Sequence, residues 1–276
     1  MVNTLPMVEG LRYENWLSAS PEQRLEALKD MEKQLASLEA REPCQLDVIP
    51  QDILSEENNA QDLYGLHIRE HLDQSGKLVP ETIQINPRFL ADGQPPYSAV
   101  ETYFHEARHS YQDHVADHPD LAENVQQAED FYKAKHGGYL DSDKVPHRLY
   151  RCQPTEIDAN HKGQTNTAII YDQFGELEGY LDHMKSPEYA NNEAGFAIES
   201  YYKDEARERV DKQFELARSQ EEIHESEEEL QQLRDPDQVS EERGEEAESI
   251  QTAEEGDQSQ DLKSGEDYDY GYGYGV

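Results

Sequence analysis

The stretch AVETYFHEARHSYQDH, residues 99–114, constrains the fold most, because it predicts an amphipathic helix that carries two histidines four positions apart. Apolar residues recur at helical spacing along one side, and His105 and His109 lie on the other side. Residues four apart on a helix lie about 40° apart around the axis. Both imidazoles can therefore reach one metal ion, and the rest of the domain must bring further ligands to this helix.

Glu106 completes the sequence H-E-x-x-H. It lies about 100° around the helix axis from His105, so its carboxylate stands beside the ion rather than on it. In that position a carboxylate can take a proton from a metal-bound water. The pattern therefore predicts a hydrolytic zinc site with Glu106 as the general base. The alternative is a chance match in an acidic chain that contains 11 histidines.

The residues around this helix predict several further elements. The alternation of Ile83 and Ile85 in ETIQINP is typical of a strand, and ADGQPPY, residues 91–97, predicts a loop. Ser98 and Glu101 are spaced as a capping box, which predicts a helix from residue 98 to about residue 116. Thr155 is the expected N-cap of a later helix. Further candidate strands lie in LDVIP (46–50) and LYGLHI (63–68).

H-E-x-x-H supplies only two protein ligands, so a third must come from elsewhere. The metzincin pattern requires Gly at position 112 and His at position 115, but the chain has Gln112 and Val115. The best candidate stretch is QPTEIDAN, residues 153–160. Within it Glu156 and Asn160 lie one helical turn apart, on the same face.

HEARHSYQ together with QPTEIDAN resembles the gluzincin plan of zinc metallopeptidases. In that plan H-E-x-x-H is followed by a second helix that carries a Glu ligand and, four residues later, Asp or Asn. EIDAN is similar to the E-x-E-A-N stretch of ImmA/IrrE-type zinc peptidases, except for Asp158 at its third position. Both stretches also look like those of zinc peptidases associated with bacterial toxin systems and phages. The resemblance covers about residues 60–165.

The resemblance implies a zinc ion as the cofactor and Glu106 as the general base and later proton donor. The metal ligands that it implies are His105, His109 and Glu156. Asp158 and Asn160 would orient the histidines, and Asp158 is an alternative third ligand. Three protein ligands leave one zinc position for water, which is typical of a catalytic site.

Several nearby side chains keep more than one interpretation. Gln112 and Arg108 flank the histidine face, where either can support the ligands or contact substrate, and a surface salt bridge is an alternative for Arg108. His147, His161 and Tyr150 lie near the second stretch. Each is a candidate for stabilising an oxyanion, with a purely structural role as the alternative.

The expected fold class is α+β, a mostly helical zincin-like metallopeptidase domain with a small sheet, followed by a long charged helix and a disordered tail. Four segments are expected along the chain. They are an N-terminal helical segment (1–41) with a capping box at Ser20, the metallopeptidase domain (42–192), a charged helical extension (193–235) and a disordered acidic Tyr/Gly tail (236–276).

The formal net charge is −37, and the part from Glu221 onwards contains 20 acidic and 3 basic residues. Such a charge repels nucleic acid and anionic membranes, so the expected partner is a protein or peptide substrate, with a basic protein as a candidate partner for the acidic tail. No apolar run is long enough for a membrane span, and the N-terminus lacks the pattern of a signal peptide. Two cysteines do not form a disulfide framework. These features favour the cytoplasm, or export by a leaderless route.

The leading functional hypothesis is a zinc-dependent metallopeptidase, a hydrolase that cleaves peptide bonds with a zinc-activated water. It would act as a toxin or effector, or as a regulatory protease. The alternative is a non-catalytic, zinc-stabilised binding or adaptor protein with an acidic tail. Glu106 favours the enzyme, because metal binding alone does not require it.

Overall fold

The computed structural model describes residues 5–54, 63–73, 75–142, 144–187, 189, 199–234 and 273–275. The chain divides into two compact units, of which unit 1 is Met1–Phe214 with Tyr270–Val276 and unit 2 is Glu215–Asp269. Unit 1 is mostly helical and contains a small mixed sheet, in agreement with the expected α+β class. The described residues of unit 2 are the C-terminal part of one long helix.

The helices follow the predicted periodicity in most places. They are α1 (Tyr13–Ser18), α2 (Pro21–Leu38), α3 (Tyr97–Asp117), α4 (Val125–Lys133), α5 (His147–Arg151), α6 (Pro154–Phe174), α7 (Leu177–Met184) and α8 (Glu199–Arg234). The capping box at the start of α2 is confirmed, because the Ser20 hydroxyl accepts from the Gln23 backbone and the Gln23 side chain accepts from the Ser20 backbone. None of the described helices is long and apolar enough to cross a membrane.

The predicted capping box at Ser98 is wrong. Helix α3 begins one residue earlier, at Tyr97, and no side chain caps it. The Ser98 hydroxyl instead lies 3.2 Å from the ring of His183. The Glu101 carboxylate accepts a hydrogen bond from Tyr180 at 2.8 Å. Both polar side chains are thus used in tertiary contacts with α7, which a local pattern cannot reveal.

The predicted N-cap at Thr155 is also wrong, by two positions. Helix α6 begins at Pro154, so Gln153 is the N-cap and Thr155 lies within the first turn. The side chain of Gln153 is fully buried and bonds both backbone groups of Leu140, at 2.9 and 3.0 Å. This contact fixes the start of α6 against the preceding loop.

The main sheet contains the three predicted strands and one unexpected strand. Its order is β1-β5-β2-β6, where β1 is Gln45–Val48, β2 is Gly65–Ile68, β5 is Thr82–Ile85 and β6 is Gly273–Gly275. Strand β5 is parallel to β1 and antiparallel to β2, and β6 is antiparallel to β2. Strands β3 (His71–Leu72) and β4 (Leu78–Val79) form a separate pair. The sequence predicts no structure in the tail, and residues 235–272 lie outside the described residues.

One hydrophobic core connects the N-terminal helices, the sheet and the motif helix. The apolar side of α2 faces the sheet and α3, so the predicted segment 1–41 packs in the same core as the metal motif. Core members from these elements include Trp16, Leu28, Met31, Ile83, Val100 and Phe104, and Tyr171 of α6 packs with them. A second cluster joins α8 to α5 through Val210, Ala206 and Leu149. The two cysteines form no disulfide and are both buried.

Candidate metal centre

The close packing of α3 against α6 positions the centre. At Gly163 of α6, an added Cβ would lie 3.2 Å from the backbone oxygen of Glu101 and 3.5 Å from the Cβ of His105. A side chain at this position would therefore push the helices apart. Because Gly163 has none, the histidine face of α3 lies directly against α6, two turns after Glu156.

Three buried ligand atoms converge between these helices. The Nε2 atoms of His105 and His109 lie 3.0 Å apart, and the Glu156 oxygens lie 3.5 and 3.3 Å from them. Tetrahedral zinc with bonds of about 2.0–2.1 Å to nitrogen and oxygen has ligand–ligand edges of about 3.3–3.4 Å. The two Glu156 distances, from Oε2 to His105 and from Oε1 to His109, are close to these edges, and the distance between the two Nε2 atoms is shorter. Among the described residues, this is one of two clusters that could hold a metal ion.

The hydrogen bonds of His109 leave its Nε2 lone pair directed at the centre. The Gln112 amide nitrogen donates to the Thr155 carbonyl and to Asp158, both at 2.9 Å. Its amide oxygen therefore faces His109 Nδ1, at 2.9 Å, and that nitrogen must carry the proton. In the neutral tautomer that this hydrogen bond selects, Nε2 is unprotonated, which is the form that binds a metal.

Asp158 and Asn160 lie on the outer side of the ligands. Asn160 lies one turn after Glu156, beside His105, and its buried amide nitrogen has no hydrogen bond with the described residues. Asp158 pairs with Arg108 at 2.6 and 3.1 Å, so its carboxylate is directed at the guanidinium rather than at the ligand cluster. Arg108 is only 7% exposed, which differs from the surface salt bridge considered for it. Asp158 therefore reaches His109 through Gln112, by an indirect contact.

Glu156 is held as a carboxylate in a buried site. Burial alone would raise its pKa, but His109 and His105 more than offset this and hold the pKa well below its ordinary range. Tyr139, which the sequence reasoning missed, donates a hydrogen bond to Glu156 Oε1 at 2.6 Å. Burial raises the pKa of Tyr139 well above its ordinary value, so the hydroxyl keeps the proton that it donates.

The change Tyr139→Phe is expected to weaken zinc affinity by about 10–100-fold, because Glu156 loses the donor that orients it. Competition with a chromophoric chelator measures this affinity. Tyr132→Phe is the matched control, because Tyr132 lies on α4 and is 48% exposed. Equal affinities in wild type and Tyr139→Phe would show that Glu156 needs no support from this hydroxyl.

Glu106 is completely buried next to the three ligands. Neither of its carboxylate oxygens has a hydrogen bond of ordinary geometry with the described residues. Burial and then the charge of Glu156 raise its pKa well above the ordinary range. A buried carboxylate with unused acceptors is suited to take a proton from a small molecule such as water, and a bound cation would favour its ionised form.

Strand β2 passes directly over Glu106. A Cβ added to Gly65 would lie 2.7 Å from Glu106 Oε1 and 2.6 Å from the Cγ2 of Thr102. Glycine is therefore needed at this position for the strand to approach the helix so closely. The backbone of β2 thus forms one wall of the centre.

The three candidates for oxyanion stabilisation lie in different surroundings. Tyr150 is buried, and its hydroxyl lies 3.2 Å from that of Tyr139. His147 is exposed and its ring is stacked on that of Tyr150. His161 is exposed and contacts Thr165 at 3.1 Å. Tyr150 is therefore linked to Glu156 through the hydroxyl of Tyr139.

The amphipathic pattern predicts a half-buried motif helix with Tyr111 on its apolar face, but α3 is covered on nearly every side. The histidine face packs against α6 and β2, while the apolar face packs in the main core. Tyr111, expected on the apolar face, is partly exposed. The buried residues around the motif are Tyr103, Phe104, His105, Glu106, Ala107, Arg108, His109, Ser110 and Gln112.

The second cluster of ligand-type side chains is Cys44, His67 and Glu81. The Nε2 atom of His67 lies 2.6 Å from Glu81 Oε1, which is a hydrogen bond and is shorter than a ligand–ligand edge around zinc. The Cys44 thiol contacts Ser110 at 3.2 Å, and burial raises its pKa well above the ordinary value. This cluster is therefore a hydrogen-bonded junction between the sheet and α3.

Comparisons of the chain with protein-family models, with curated proteins and with solved structures found no match.

Proposed function

We propose that this protein is a zinc-dependent metallopeptidase of the gluzincin type, with His105, His109 and Glu156 as the metal ligands. The observation that carries the proposal is the convergence of three buried ligand side chains, 3.0–3.5 Å apart, beside a buried carboxylate that has no hydrogen bond of ordinary geometry with the described residues. A purely structural metal site has no need of that carboxylate.

The donor set supports zinc as the metal. Two imidazoles and one carboxylate are typical zinc ligands, and three protein ligands leave a position open. The buried Glu156 Oε2 has no good hydrogen bond among the described residues, so the site contains an acceptor that a cation would satisfy. When bound, zinc would supply a Lewis acid that polarises a carbonyl and makes water more acidic.

The chain's own residues account for the proton transfers. Glu106 would take the proton from the attacking water, and the same carboxyl group would then give a proton to the leaving amine. Burial and the charge of Glu156 raise the pKa of Glu106 and so favour proton uptake, and a bound cation would favour the ionised form that the first step requires. Gln112 would hold the imidazole of His109 during this cycle, and we expect Asn160, which lies beside His105, to orient the other imidazole. Tyr150 is the best placed of the candidate donors for the developing oxyanion.

The substrate class that we propose is an extended peptide. The backbone of β2 lies beside Glu106, and its outer edge, which pairs with β6, could instead bind an extended chain through main-chain hydrogen bonds. The strongly negative chain favours peptides that carry basic residues. The proposed reaction is therefore hydrolysis within peptides of net positive charge.

A peptide library tests this function directly. Zinc-loaded full-length protein is incubated with a mixed library of basic, neutral and acidic peptides, and mass spectrometry identifies the new ends. We expect internal cleavage, most of all in basic peptides, that stops after removal of zinc and returns when zinc is restored. The absence of cleavage in every class of peptide with zinc bound would contradict the proposal.

A further inference from the structure

Strand β6 covers the outer edge of β2 with residues from the C-terminal end of the chain. In this antiparallel pair Leu66 lies opposite Gly275, His67 opposite Tyr274 and Ile68 opposite Gly273. Strand β5 occupies the other side of β2. Without β6, β2 would be an edge strand, whose unpaired N–H and C=O groups accept any extended chain.

This edge belongs to the strand that lies against the centre. The close approach of Gly65 to Glu106 places the start of β2 over the proposed general base. Two residues on, the ring of His67 is stacked on that of His109, with centroids 6.4 Å apart. A chain bound along the outer edge of β2 therefore lies one strand spacing, about 4.8 Å, from the strand that contacts both a proposed metal ligand and the proposed general base.

We propose that the outer edge of β2 is a docking site for the chain's own C-terminal segment, Gly273–Gly275, which competes there with an extended peptide. The competition rests on the proposed function, whereas the docking does not. Tyr270–Val276 belongs to the same compact unit as β2, although it is far away in sequence. A tethered segment competes at a high effective concentration, so even a short strand can be effective.

Hydrogen–deuterium exchange of the full-length protein tests the docking. Proline cannot donate to a strand ladder, so Tyr274→Pro is expected to speed exchange of the protected β2 amides by about tenfold or more. The control variant Tyr268→Pro changes the same residue type in the same tail and should leave β2 unchanged. The amides of β5 should be unchanged in all three proteins, because β5 lies inside the sheet.

Equal exchange of β2 in wild type and Tyr274→Pro would overturn the docking. If protection of the β2 amides falls when the wild type is diluted tenfold, the docking is also overturned. The strand paired with β2 would then come from a second copy of the protein. Protection that is independent of concentration supports a strand from the same chain.

The competition is measured with a peptide that the wild type cleaves. Tyr274→Pro is expected to raise kcat/KM by about threefold or more, and a synthetic YGYGV peptide should then inhibit this variant. Faster β2 exchange with unchanged kcat/KM would overturn the competition and leave the docking in place. Faster β2 exchange when neither protein cleaves any peptide would overturn the competition and contradict the proposed function, again without affecting the docking.

Discussion

The change Glu106→Gln is expected to lower the rate of zinc-dependent peptide hydrolysis by about 10²–10⁴-fold, while the protein keeps its metal. The amide has nearly the same size as the carboxylate, so it fits the same buried space beside β2. It cannot take a proton from water. In the metal-free protein the variant should unfold at the same temperature or higher, because the change removes a buried carboxylate next to Glu156.

The measurement combines hydrolysis rates with elemental mass spectrometry of the same samples. Glu101→Gln is the matched control, because Glu101 lies on the same helix and contacts Tyr180 and Tyr189 instead of the centre. That variant should keep its activity to within a few-fold. Full activity in Glu106→Gln would refute the proposed mechanism. If the wild type binds zinc but cleaves nothing, the alternative of a zinc-stabilised binding or adaptor protein is favoured.

Helical periodicity and turn chemistry predicted the elements that carry the centre. The spacing of His105 and His109 fixed their common face before any tertiary contact was known, because this geometry is local. The capping box of α2 could also be predicted, because Ser20 and Gln23 are three residues apart and their contact is local. The caps of α3 and α6 could not be predicted in this way. Ser98 contacts His183 of α7, and Gln153 bonds the backbone of Leu140. Contacts between residues that are distant in sequence leave no local pattern.

The environment of Glu156 was only partly predictable. Glu156 itself followed from a resemblance, whereas Tyr139 lies in a loop 17 residues earlier in the chain. Its position depends on a π-helical turn in which Gly137 has a φ of 94°, a conformation that favours glycine. The two glycines in HGGY indicate a sharp turn just before Tyr139. They do not indicate which residue this tyrosine contacts. Likewise, nothing local indicates that β2 lies over Glu106.

The change Glu156→Ala is expected to weaken zinc binding by more than about 100-fold, because two imidazoles would remain without the buried carboxylate. Elemental mass spectrometry of reconstituted and desalted protein should find one zinc per chain in wild type and almost none in the variant. Zinc at about 1,000 times its Kd should stabilise the wild type by about 4 kcal/mol, which a thermal melt detects. The variant should lose this stabilisation.

Two further variants make this measurement specific to Glu156. Asp158→Ala removes the alternative ligand, and we expect only about a tenfold loss of affinity because Asp158 reaches His109 through Gln112. Glu178→Ala changes an exposed carboxylate on α7 and should bind zinc as the wild type does. Zinc retained in Glu156→Ala but lost in Asp158→Ala would reverse the assignment of the third ligand. A wild type that binds no metal after reconstitution would contradict both the metal centre and the proposed peptidase function. His105, Glu106 and His109 would then be a chance match to the motif.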